Sequence, residues 1–338
     1  MSHERTHRIA QRILCFLCVL LWPMDFPMHL IFFGTSAFAV PALRALHSAG
    51  HTIVAVATQP DRPAGRGRVL TASPIAIAAA ELGLNILKPE RIRTAEFLEQ
   101  LKTLAPEIIV TASYGKLLPP DILQLPPQRC VNIHPSLLPR WRWAAPIPWS
   151  ILGGDTTTGV TTMYMVDALD AGDILLQASV PIAPAEDAAH LHDRLAVIGA
   201  DLIVQTLDGL KKNNITPRVQ DASQVTIARL LTKDDGRIDW TQPAEQIIRQ
   251  VRALQPWPVA FTHLHNLPLK IFCAEIWPEC PMPAGTAPGT IFGVTRSLQI
   301  ATGRGTLCLT DVQLAGKQRM KSEVFLRGYR VQTGEICT

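Results

Sequence analysis

From Met28 to His134 the chain alternates short apolar runs with segments whose apolar residues recur at helical spacing. No other feature narrows the fold so far. His29–Phe33 is an apolar run ending at Gly34, and Phe38, Val40, Leu43 and Leu46 then fit a helix over about 37–49, closed by Gly50. Thr52–Thr58 reads as a second strand, and helices are expected over 73–83 and 94–104. Glu107–Thr111 and Arg129–His134 are the next strands. Buried runs separated by helices imply a parallel sheet with helices on both faces. Ligands bind such sheets beyond the carboxyl ends of the strands. Three stretches are therefore the places to look for chemistry: Gly34-Thr35-Ser36, Thr111–Gly115 and Asn132–Arg142. The first strand-to-helix turn, Gly-Thr-Ser-Ala-Phe, lacks the glycine spacing of a dinucleotide fingerprint, and no Walker A pattern is present, which disfavours a dinucleotide or ATP enzyme.

After about residue 185 the alternation fades. Residues 187–211 read as one helix, and 212–228 are polar and turn-rich, as in a linker. Beyond 237 come short strand-like runs punctuated by Pro and Gly, the pattern of a small β-barrel. A length of 338 residues accommodates this division into two domains. Lys and Arg number 32 against 28 Asp and Glu, a net charge of +4, so any nucleic-acid binding must come from local patches. A hydrophobic content of 47% excludes wholesale disorder. Seven cysteines, an odd number, argue against a disulfide framework and for a reducing cytoplasm. The Cys15-x-x-Cys18 pair has no second pair to complete a zinc site.

Residues 1–27 form an extension in which Arg5, Arg8 and Arg12 precede an apolar stretch from Ile13 to Trp22. The outline is that of a signal peptide, but the stretch is too short to span a bilayer and lacks a small-residue cleavage site. The preferred expectation is a native start at Met28, or else Met24, with the extension disordered or not native. An export signal is the competing expectation.

Asn132 and His134 stand two residues apart at the end of a strand, so an amide and an imidazole project in the same direction. Pro135, Pro139 and Pro146 stiffen the loop that follows. In Val166–Asp173 (VDALDAGD), Asp170 or Asp173 offers a carboxylate. Such a trio suits attack of an amine on a carbonyl-like carbon, where an oxyanion needs donors and the amine must lose a proton. The bland alternative is a turn-capping Asn and a structural His. No metal site is expected, because His190 and His192 are two apart on a helix and do not share a face. Two basic features stand apart from the trio. Arg62, Arg66 and Arg68 punctuate a Gly-rich loop at 58–68. Lys317, Arg319, Lys321, Arg327 and Arg330 oppose a single Glu323. Either can track phosphates or be an ordinary solvated surface.

Taken together, IFFGTSAFAVPAL, TQPDRPAGRGRVLTASPI, ASYGKLLP, NIHPSLLPRWR, LDAGDILLQ, GRIDW, QPWPVAF and AGKQRM resemble the methionyl-tRNA formyltransferase family from about Met28 to Arg330. The N-x-H, SLLP and L-D-x-G set alone points only to the wider formyltetrahydrofolate-using superfamily, whereas the PDRPAGRG insertion and the carboxy-terminal module narrow it. The resemblance implies an α/β fold: a Rossmann-like parallel-sheet catalytic domain over 28–211, a linker over 212–230, and an OB-like β-barrel over 231–334 that binds tRNA. It implies transfer of a formyl group from 10-formyltetrahydrofolate, a co-substrate, to the α-amine of methionyl initiator tRNA, with no metal and no membrane, by a monomer. It assigns Asn132 and His134 to the oxyanion, Asp170 to orientation and proton transfer, and Ser136, Leu137, Leu138 and Pro139 to the folate. Arg66, with Arg62 and Arg68, is assigned to the tRNA acceptor end, and Lys317 with Arg319 to its backbone. Two other readings stay open: a formyltransferase on an amino sugar nucleotide (or a formyltetrahydrofolate hydrolase), and a catalytically impaired tRNA-binding homologue. The last is raised by Trp143, where the family usually has Gly.

Overall fold

The computed structural model describes residues 27–64, 67, 69–276 and 285–338. The expectations for the amino-terminal extension, apart from Pro27, and for Arg66 and Arg68 lie outside the described residues. In chain order the elements begin with β1 (His29–Gly34), α1 (Val40–Ser48), β2 (Thr52–Ala57), β3 (Arg62–Ala64), β4 (Val69–Thr71), α2 (Pro74–Glu81) and β5 (Ile86–Leu87). Next come α3 (Ala95–Thr103), β6 (Ile108–Ala112), the single turn α4 (Pro120–Leu123), β7 (Cys130–His134), α5 (Pro146–Leu152), β8 (Thr157–Tyr164), β9 (Ile174–Pro181) and α6 (Ala188–Lys211). Two compact units are present. The first takes the described residues up to His134, Thr161–Gln177 and Ala196–Val219; the second takes Pro135–Val160, Ala178–Leu195 and Gln220–Thr338.

In the first unit the sheet order is β5-β2-β1-β6-β7-β8-β9. The pairs β2–β5, β1–β2, β1–β6 and β6–β7 are parallel. All five residues of β6 are buried and so are all of β1 after His29, as central strands covered on both faces must be. Helix starts are capped as their sequences direct: Ser73 accepts a hydrogen bond from the Ala76 amide ahead of Pro74, and Thr94 accepts one from Phe97. Phe33, Phe97 and Tyr114 meet edge to face in the core, with Phe33–Tyr114 centroids 5.0 Å apart. Because β1 has β2 on one side and β6 on the other, the chain reverses direction there, and the carboxyl ends of β1, β6 and β7 border the crevice.

The expected all-parallel sheet needs one amendment: β8 runs antiparallel to β7. It is threonine-rich and so reads as polar, yet Thr161 and Thr162 are fully buried, and the Thr162 hydroxyl is shared with Thr206 at 2.8 Å. The segment expected as a linker is tied at both ends of its polar run. Arg218 exchanges two backbone bonds with Ile174 in the first unit, and Ala228 donates to Arg142 in the second.

The second unit continues with α7 (Ala244–Ala253), β10 (Ala260–Leu264), β11 (Leu267–Ile276), β12 (Ile291–Val294), β13 (Leu298–Ala301), β14 (Thr306–Leu314), β15 (Met320–Lys321) and α8 (Ser322–Gly328). These strands form one antiparallel sheet in the order β10-β11-β14-β13-β12, with β15 on β14. Ile247, Val251, Ile271, Leu309 and Phe325 belong to its core, and the buried Trp240 indole donates to the Thr262 hydroxyl at 3.0 Å. Among the described residues no helix is long and apolar enough to cross a membrane.

Candidate active site

The N-x-H pair lies where the sequence puts it, on the last turn of pleat in β7. Asn132 is half-buried and aligned with Thr111 of β6 on one side and Met163 of β8 on the other. The Thr111 hydroxyl donates to Asn132 Oδ1 at 2.7 Å. His134, 4% exposed, aligns with Thr161 of β8. Asp170 Oδ1 stands 3.8 Å from His134 Nδ1, too long for a hydrogen bond but within reach of an ion pair once the ring is protonated. The structure therefore brings together all three residues of the trio within the first unit. Asp173, the alternative carboxylate, lies just ahead of β9, and its carbonyl accepts from the Tyr164 amide.

Two backbone features fix the Asp170 loop. Asp170 has φ +49°, a left-handed conformation that Asp tolerates better than most side chains. At Gly172 a β-carbon would lie 1.8 Å from the Tyr164 carbonyl oxygen, so only glycine passes.

Behind the trio the strand ends are tied together. Thr35 Oγ1 donates to the Tyr114 carbonyl at 2.9 Å, and Gln59 Nε2 donates to the same carbonyl at 2.9 Å. Two of the stretches singled out in the sequence, at Gly34-Thr35-Ser36 and at Thr111–Gly115, thus meet. Gln59 was not foreseen, since a lone Gln ahead of a proline carries no sequence signal. Burial pushes the Tyr114 phenol up to about 12, raises the Tyr164 phenol despite Arg129 over its ring, and pushes the Cys130 thiol up to about 12. These three groups stay protonated near neutral pH. They neither compete as bases nor offer a thiolate.

A groove of about 460 Å³ opens in the same unit, lined by Pro120, Leu123, Gln124, Arg129, Met165, Val166 and Asp167. Its wall at 165–167 is the start of the loop that carries Asp170. Apolar walls with a few polar groups suit a flat, polar-edged ring system.

The SLLP segment belongs to the second unit. Ser136 is buried, and its hydroxyl donates to the Arg140 carbonyl at 2.6 Å, so it tightens its own turn. Leu138 is also buried, whereas Leu137 and Pro139 keep partial exposure. Asp155 holds the loop by accepting from Arg140 and from the Trp141 indole, both at 2.6 Å, and the Thr226 hydroxyl accepts from the Trp141 amide. Trp143, 45% exposed, is held at φ +87°. A bulky side chain at that angle costs about 1–2 kcal/mol, and Gly regains part of this in unfolded-state entropy. Trp143→Gly is therefore expected to raise stability by about 0.5–1 kcal/mol and to raise turnover by removing the ring from the loop that follows His134. A lowered Tm, or turnover no higher than the parent's, contradicts this.

Of the basic residues, Arg62 is exposed at the start of the β3–β4 hairpin, with Gln59 Oε1 3.5 Å from Nη2. Lys317 is exposed in the turn after β14. Arg319 is exposed but tied to the fold: it forms two bonds to Asp311, at 3.1 and 2.8 Å, and stacks over Phe272.

A family model described as formyl transferase matches residues 28–207, and one described as formyl transferase, C-terminal domain, matches 230–330. A relative from Solibacter usitatus described as methionyl-tRNA formyltransferase is 47% identical over 91% of this chain and 98% of its own length. The chain belongs to the methionyl-tRNA formyltransferase family. A second member, from Methylococcus capsulatus, is 45% identical over 92% of this chain and 100% of its own. The fold extends beyond the family. An N-formyltransferase from Helicobacter canadensis, solved with folinic acid and dTDP-3-aminofucose, superposes with a TM-score of 0.64 at 16% identity over 87% of this chain and all of its own. HypX from Aquifex aeolicus, solved with tetrahydrofolic acid, gives 0.62 at 15% identity over 93% of this chain and 51% of its own.

Proposed function

We propose that Asn132, His134 and Asp170 carry formyl transfer from 10-formyltetrahydrofolate to the α-amine of methionine on initiator tRNA. Membership of the family gives the reaction, and the single observation that supports the residue assignment is the meeting of an amide, an imidazole and a carboxylate at the end of β7. 10-Formyltetrahydrofolate supplies the one-carbon unit. Asn132 Nδ2 donates to the formyl oxygen as negative charge grows there, and His134 adds a second donor through its ring. Asp170, 3.8 Å from Nδ1 of that ring, orients it and assists transfer of the proton that the amine loses. The new bond joins the amine nitrogen to the formyl carbon, the bond to the folate nitrogen breaks, and the proton ends on that nitrogen. The groove bounded by Leu123, Met165 and Val166 is the proposed seat of the pteridine ring.

The domain reading follows: 28–211 catalytic, 212–230 connecting, and 231–334 an OB-like tRNA-binding barrel, in a cytoplasmic monomer. The antiparallel order of the second sheet and the exposed Lys317, Arg327 and Arg330 support the barrel and its role. The test is formylation of charged initiator tRNA by the purified protein. A dTDP-linked amino sugar and free 10-formyltetrahydrofolate serve as alternative acceptor and hydrolysis arms. Tight tRNA binding without transfer would restore the binding-only reading. Affinity for tRNA should fall steeply with salt, and Lys317→Ala should flatten the log–log slope by about one. Arg319→Ala should flatten it less, because Asp311 already neutralises that guanidinium.

A further inference from the structure

We infer that Thr111 is a positioning residue for the reaction: its hydroxyl selects the side-chain orientation of Asn132 that presents N–H groups to the formyl oxygen. This rests on the reading of Asn132 given above and extends it to a residue outside the N-x-H, SLLP and L-D-x-G pattern.

β6 reads Ile-Ile-Val-Thr-Ala and is buried throughout, so a hydroxyl there is costly unless it is bonded. Thr111 is 3% exposed and has one proton to give. Three acceptors surround it: Asn132 Oδ1 at 2.7 Å, Met165 Sδ at 3.2 Å and the Val131 carbonyl at 3.4 Å. The amide oxygen is the nearest and far stronger than a thioether. Parallel register sets Thr111 directly beside Asn132 on the neighbouring strand, so the contact is built into the sheet and needs no loop to hold it.

A side-chain amide has two nearly isosteric orientations. With Oδ1 accepting from Thr111, Nδ2 turns away from β6, and it makes no hydrogen bond to another described residue. Turned the other way, the amide would spend an N–H on the Thr111 oxygen and offer its own oxygen to the developing oxyanion, which repels it. Thr111 also touches Met165, the first residue of the loop bearing Asp170. Without the hydroxyl the amide samples both orientations, and a share of enzyme–substrate complexes is unproductive.

The comparison is of Thr111→Val, Thr111→Ser and Thr111→Ala, alone and in an Asn132→Ala background, with kcat and KM measured for both substrates. Thr111→Val should lower kcat about tenfold with KM within about twofold, as expected for an interaction that matters only as charge develops. Thr111→Ser, which keeps the donor, should return kcat to within about twofold of the parent. If Val packs badly, the Ser and Ala variants carry the same contrast, since both lack the γ-methyl and differ only in the hydroxyl. In the Asn132→Ala background the Thr111 changes should have no further effect on kcat. Equal kcat for Ser and Ala, or a parental kcat in a folded Thr111→Val, overturns the inference when Asn132→Ala is itself strongly impaired. Parental activity of Asn132→Ala overturns the reading of the site instead.

Discussion

Formyl transfer by His134→Ala is expected to fall by 10²- to 10³-fold or more in kcat, with tRNA affinity unchanged. The imidazole donates to the oxyanion and, through its contact with Asp170, supports the proton transfer that this carboxylate assists. A single oxyanion donor is worth about 2.7–4 kcal/mol of barrier, and proton transfer typically contributes 10²- to 10⁴-fold. Asn132→Ala should lose the oxyanion share alone, a fall of about 10²- to 10³-fold. The double variant should be little worse than His134→Ala, because residues acting as one unit are not additive. Steady-state formylation run beside filter binding of tRNA checks both halves. Full activity in either single variant, or loss of tRNA binding in step with turnover, would remove these residues from the chemistry.

The second large effect is on stability and comes from His51, which the reaction does not use. This residue is 4% exposed; its Nδ1 accepts from the Met28 amide at 3.3 Å, and its Nε2 is buried with no hydrogen-bond partner. Burial, reinforced by Lys211 and partly opposed by Asp208, lowers its pKa from 6.5 to about 4. A base with a lowered folded-state pKa is neutral in the fold while the unfolded chain already takes up a proton. Its stabilising share is therefore intact above pH 6.5 and drains away as the pH drops toward 4, by about 3 kcal/mol in total. Asp235 acts in a lower window, since the Arg229 hydrogen bonds hold its carboxyl at about 2 and its share fades only below its ordinary 3.8. Denaturant unfolding of the parent and of His51→Gln between pH 7 and pH 4 separates the two. The parent's stability should fall with a slope that the variant lacks, and identical slopes would remove His51 as the cause.

Much of the first unit was legible because its strands are buried on both faces and its turns carry Gly, Ser and Thr where backbone geometry asks for them. β1, β2, β6 and β7 follow from apolar runs, and the pairing of Asn132 with His134 follows from the two-residue period of a strand. β8 escaped notice because its threonines read as polar; their hydroxyls are satisfied by partners far along the chain, such as Thr206, that no local window contains. α7, by contrast, was legible and was passed over: Ala244, Ile247, Ile248 and Val251 recur at helical spacing, with Glu245, Gln246, Arg249 and Gln250 between them. Ser136 is assigned to the folate by its place in SLLP; that its hydroxyl also tightens the turn was not legible, because sequence does not say which way a hydroxyl faces. Thr111 carried one faint signal, a single polar side chain inside an otherwise apolar strand, which is as easily read as an ordinary β-former.

The close passage of Gly172 beneath the Tyr164 carbonyl has a consequence for how this loop tolerates variation. The path of the main chain helps to aim the carboxylate of Asp170. Ala168 and Ala171 can thus occupy places where the family pattern has other small residues and leave the aim undisturbed, while one added methyl at Gly172 would redirect the whole segment. Drift in this loop is cheap at Ala168 and Ala171 and costly at Asp170, which carries the carboxylate, and at Gly172, which admits no side chain.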